Sequence, residues 1–73
     1  AIPHTSLKRI SFQMNHLIKV DPNEPIREYI RLCYPNSRIM EIALCRKSSG
    51  TRFVKLCDLE GNYTETLVVE LYF

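Results

Sequence analysis

LIKVDPNEPIREYIRLCY, residues 17–34, changes its period at Asp21-Pro22, and that change decides the fold. Upstream, Ile10, Phe12 and Met14 alternate with Ser11 and Gln13. Alternation of this kind is the mark of a strand with one face in a core. Asn15-His16 offers a tight turn, and Leu17 to Val20 reads as the returning strand. Asp21-Pro22 breaks it. Pro25 suits the first turn of a helix, where its missing N–H costs nothing. Ile26, Tyr29, Ile30 and Cys33 then fall at i, i+3, i+4 and i+7, which is one helix face. The spacing predicts a helix over residues 24–34.

Downstream, Pro35-Asn36-Ser37 stops the helix. IMEIALC, residues 39–45, is short enough for a strand but ambiguous with a helix by periodicity alone. Ser49-Gly50 resolves it as a two-residue hairpin loop, with FVKLC (residues 53–57) returning. Asp58 to Asn62 is a second turn cluster, and TETLVVELYF (residues 64–73) is rich in β-branched and aromatic residues. The expected architecture is α+β: a mixed sheet of four to five strands packed on one principal helix. Ile10, Phe12, Met14, Ile18 and Val20 should face that helix. From the last strand the wholly apolar set Leu67, Val69, Leu71 and Phe73 should join them. Leu17–Val20 and Phe53–Cys57 are the expected sheet edges, guarded against edge-to-edge pairing by Lys19 and Lys55. An isolated monomer follows from that.

Seventy-three residues allow a single domain. A chain this short buries about 60% of its unfolded surface and is marginal in stability. A hydrophobic content of 45% is that of a folded domain. The net charge of +2 is too small to imply nucleic acid or a membrane surface by itself. Cys33, Cys45 and Cys57 make an odd count without a close pair, which reads as reduced thiols in an intracellular (cytoplasmic or nuclear) protein. No signal peptide, transit peptide or membrane span is evident. The opening Ala1-Ile2-Pro3 suggests a domain excised from a larger protein.

Chemistry finds little purchase. A cysteine nucleophile needs a base in reach, and the two histidines, His4 and His16, sit in the N-terminal tail and at a turn. Zinc favours short-spaced ligand pairs, whereas the cysteines are twelve residues apart. Gly50 and Gly61 are isolated turn glycines rather than a phosphate loop. Asp58 and Glu60 share a turn, where carboxylates are usually solvated or bonded to backbone. No catalytic, cofactor or metal site is expected. Basic residues form the one constellation: Arg27 and Arg31 on one helix face, with Lys8, Arg9, His16 and Lys19 on the N-terminal hairpin. Arg46, Lys47 and Arg52 decorate the tip of the later hairpin. Ordinary solvation accounts for such residues in most proteins. The functional reading is a partner with an acidic surface. The alternative is a small nucleic-acid-binding domain that uses its basic hairpins, although it lacks the interleaved aromatics that stack on bases.

LIKVDPNEPIREYI resembles the second strand and helix entry of ubiquitin-like β-grasp domains, and TLVVEL resembles their closing strand, which lies beside the first. The resemblance implies a protein-interaction module. The absence of a C-terminal Gly-Gly does not support conjugation, and the link from Phe53 to Thr64 is short for the family. Within the superfamily the layout is similar to Ras-association and Ras-binding domains, whose second strand, at a sheet edge, pairs with a strand of a Ras-type GTPase. That resemblance implies a docking surface of His16, Lys19, Arg27, Arg31, Lys8 and Arg9. Asp58-x-Glu60-Gly61-Asn62 is faintly similar to the acidic turn of Phox/Bem-type domains, but eleven residues leave no room for the helix and strand those need.

Overall fold

One strand, a helix and then three strands follow one another in a computed structural model that describes residues 7–13 and 21–72. The elements are β1 (Leu7–Gln13), α1 (Glu24–Cys33), β2 (Ser37–Cys45), β3 (Ser48–Asp58) and β4 (Tyr63–Tyr72). They make an α+β fold with one helix and a four-stranded mixed sheet of order β1-β4-β3-β2. β1 lies parallel to β4, with Ile10 opposite Val69, and the other two pairings are antiparallel. β1, β4 and β2 therefore run one way and β3 the other. The closing strand sits inside the sheet beside the first, as its apolar, unbroken sequence suggests. The predicted strand Leu17–Val20, with His16, Lys19, Met14 and Phe73, lies outside the described residues.

Alternation decides what is buried. Leu67, Val69 and Leu71 of β4 and Val54 and Leu56 of β3 point to one face and form the core with Ile26 and Ile30 of α1. Ile10, Phe12, Tyr29, Tyr34, Ile39 and Ile42 pack around it. Phe12 meets Tyr29 edge-on at 5.7 Å between ring centroids, an arrangement that favours the electron-poor ring edge against an electron-rich face. Helix entry works as the sequence predicts: Pro25 occupies the first turn, and Glu24 complements the positive end of the helix dipole. The helix closes when the Tyr34 N–H donates to Ile30 O at 2.8 Å.

Three expectations need correction. Phe53–Cys57 lies within β3, between β4 and β2, so on that side β2 is the edge among the described residues, and Lys55 sits mid-sheet within 3.7 Å of Glu41. The hairpin turns at Arg46-Lys47, while Ser49-Gly50 belongs to β3. There Cys45 pairs with Ser48 and Leu44 with Arg52, so Ser49–Thr51 bulges away from β2. A Cβ on Gly50 would lie 2.7 Å from Leu71 O, which explains a glycine at this close approach of strands. Finally, Cys33 is exposed, because the buried part of the helix stripe ends at Ile30.

Arg52 is not a tip residue either. It points to the helix side of β3 with 8% of its surface exposed. Its Nη1 donates to Ser49 O at 2.6 Å and Thr51 O at 3.2 Å. The bulge leaves carbonyls without a β2 partner, and the guanidinium supplies a donor to them.

Candidate functional site

The helix wheel explains why Arg27 and Arg31 share a surface. Ile26 and Ile30 point into the core, so the residues following each point to the flank of α1 that faces β2. After the Tyr34-Pro35-Asn36 turn, β2 begins on that same flank with Ser37, Arg38 and Ile39. Between them lies a cleft of about 360 Å³ lined by Arg27, Ile30, Arg31, Tyr34, Pro35, Ser37, Arg38 and Ile39. Its walls carry three guanidinium-bearing side chains and no carboxylate. Arg31 Nη1 donates to Glu28 Oε1 at 2.5 Å. Arg27 and Arg38 have no acidic partner among the described residues.

Beside the cleft runs the free side of β2, which has one strand neighbour, β3, among the described residues. Two irregularities interrupt its register. Met40 is an extra residue between the Ile39–Leu56 and Glu41–Lys55 pairs, and the second falls between Leu44 and Cys45. Bulges of this sort discourage indiscriminate edge pairing. Glu41 to Leu44 remains a regular run whose outward side meets no other strand among the described residues.

Of the residues predicted to form one basic surface, His16 and Lys19 lie outside the described residues, and Lys8 and Arg9 fall on opposite faces of the sheet. Lys8 lies on the helix side of β1, with Nζ 5.6 Å from the centre of the Tyr34 ring and 3.5 Å from Glu65. Tyr34 also lines the cleft, so Lys8 approaches its far rim. Arg9, one residue on, points through the opposite face and pairs with Glu70. Glu70 is held below its ordinary pKa, first by the Tyr72 hydroxyl and then by Arg9. Arg27 and Arg31 are brought together, and Arg38 joins them. Arg38 escapes sequence reasoning because it is remote from the N-terminal hairpin. Its signal was the short Pro35-Asn36-Ser37 turn, which forces the chain back along the helix it has just left.

The sheet face away from α1 is a second surface. No helix among the described residues covers it. Phe53 and Val68 are paired there, and Met40 and Tyr72 are about half exposed, at 50% and 49%. Met40, Lys55, Tyr63 and Thr66 outline a hollow of about 340 Å³, where the Tyr63 and Thr66 hydroxyls are 2.8 Å apart. Ion pairs Arg9–Glu70 and Lys55–Glu41 intersperse charge among these apolar groups.

Among the described residues no group of three or more metal-ligating side chains converges, and no helix is long and apolar enough to cross a membrane. Cys33, Cys45 and Cys57 are all free thiols. Asp58 is engaged in its own turn: Oδ1 accepts from the Glu60 and Asn62 N–H groups at 2.9 Å each, while Gly61 takes φ +92°. No protein family, curated protein or solved structure matches the chain.

Proposed function

We propose that this domain is a non-catalytic protein-interaction module that adds a strand of an acidic partner to the free edge of β2. The observation that carries the proposal is the juxtaposition of that edge with a cleft lined by Arg27, Arg31 and Arg38 and by no carboxylate. Main-chain hydrogen bonds along Glu41–Leu44 would provide affinity, and the arginines would select partners by charge. The ubiquitin-like β-grasp reading agrees with the parallel first and last strands lying side by side. The Ras-type GTPase it suggests as a candidate partner would dock, on that resemblance, at Leu17–Val20 and not at β2, so for β2 the partner is defined by its acidic strand alone. Free thiols fit an intracellular setting.

A contact through the uncovered sheet face is the second reading, favoured by the exposure of Met40, Phe53, Tyr63 and Tyr72. The nucleic-acid alternative has less support. Lys8, Arg9 and Arg31 are already engaged by Glu65, Glu70 and Glu28, which reduces the positive field available to phosphates.

Partners recovered with the immobilised domain provide the test. Against a recovered partner, the Arg27→Glu, Arg38→Glu double variant should bind at least tenfold more weakly, whereas Phe53→Ser should bind as the parent does. Unchanged binding by the arginine variant, with loss in Phe53→Ser, would move the site to the open sheet face. Lys19→Glu tests the edge predicted from sequence in the same assay.

A further inference from the structure

We infer that the arginine cleft between α1 and β2 is a binding site for a phosphate monoester, carried by a phosphorylated side chain of the partner segment that pairs with β2. The inference deepens the interaction-module reading and rests on it for the identity of the carrier. The cleft itself can be tested alone.

Bland roles account for only one of the three arginines. Arg31 sits in the last helical turn, where a cation complements the negative end of the dipole, and it pairs with Glu28 at 2.5 Å. Arg27 and Arg38 have neither role. Both line the cleft, one from the helix and one from the strand, so two cations without an acidic partner among the described residues border one hollow. Like charges bordering one hollow repel unless something neutralises them. A single carboxylate carries one negative charge and two oxygens. A phosphate monoester carries nearly two charges at neutral pH and three acceptor oxygens, which better matches the two guanidinium groups of Arg27 and Arg38 that have no acidic partner among the described residues. Ser37 and Tyr34 bring hydroxyl-bearing side chains to the same walls, and Ile30 and Ile39 close the floor. The apolar floor lowers the local dielectric beneath the charges and strengthens any ion pair above it. Ser37 and Arg38 open β2, so a strand added along Glu41–Leu44 would have its end beside the cleft.

Inorganic phosphate and O-phospho-L-serine are the probes, titrated into the isotopically labelled domain at constant ionic strength, with acetate as the carboxylate control. Expected are saturable shifts of the Ser37 and Arg38 amides and of the Arg27 and Arg38 Nε–H signals. Binding should tighten between pH 5.5 and 7.5, as the second phosphate proton leaves near pH 6. Arg27→Gln and Arg38→Gln should each weaken it about tenfold, the effect of losing a charge-assisted hydrogen bond. Arg46→Gln, in the turn at the other end of the sheet, should leave it unchanged. All these residues are exposed, and the melting curve of each variant confirms that it remains folded. Shifts that never saturate, or that respond equally to Arg46→Gln, would overturn the site. Acetate binding as tightly as phosphate would overturn the choice of phosphate. Failure of these titrations leaves the β2-edge reading standing, because that reading is judged on protein partners. Loss of partner binding to β2 with intact phosphate binding would refute the edge alone.

Discussion

The two faces of the sheet are built from alternate residues of the same strands and have opposite characters. Under the helix, Val54, Leu56, Leu67, Val69 and Leu71 are buried against Ile26 and Ile30. Across the backbone, Phe53 is 37% exposed, Met40 and Tyr72 more so, and ion pairs cross between strands. Stability is therefore concentrated on one face. The open face and the β2 flank are available for binding because the core does not depend on them. Substitutions should separate the two in steps.

Ile30→Asp should have the largest effect. It places an unpaired carboxylate in the core, and the cooperative melting transition should vanish. Leu67→Ala tests the same face more gently, at about 2–5 kcal/mol in denaturant unfolding, enough to consume much of the stability of a small domain. If either variant melts like the parent, the covered face is not where stability resides.

Next come the strand-junction residues. Gly50→Ala would force a methyl against the Leu71 carbonyl, and about 1–3 kcal/mol should be lost as β3 and β4 separate. Arg52→Ala removes the donor to the Ser49 and Thr51 carbonyls, at a similar cost of about 1–3 kcal/mol. Faster hydrogen exchange of the surrounding amides should accompany it. On the open face, Arg9→Ala breaks an exposed pair with Glu70 and should change stability by less than about 1 kcal/mol.

The smallest effect is acid dependence. The Asn62 N–H foremost lowers the Asp58 pKa in the folded chain; desolvation opposes it, and the Glu60 N–H and the Asn62 side chain add to the lowering, so the net direction is down. A depressed carboxyl stabilises the fold above its unfolded pKa of about 3.9, and that contribution disappears as pH falls through the folded value. Urea midpoints should drop below about pH 4, and Asp58→Asn should flatten that limb.

Much of this was legible beforehand. Period two in β1 and β4, Pro25 at the helix entry and the apolar set Leu67, Val69, Leu71 are local signals, and each has its predicted place. Strand order is not local. Phe53–Cys57 was expected at an edge, but two neighbours pair with it, and only the register with Glu41–Leu44 and Val68 reveals that. Arg52 looked solvated because arginine usually is, and nothing nearby in sequence announces the bulge it supports. Arg38 was invisible for a similar reason: the cleft is made by a helix and a strand meeting across a turn.

The most direct test of the account is amide hydrogen exchange along β2 with and without a bound partner. Glu41–Leu44 should gain protection on binding, together with Arg38 at the cleft, while the amides of β3 and β4, already paired on both sides, stay as they were. Protection confined to other residues, with Glu41–Leu44 exchanging as fast as in the free domain, would contradict it.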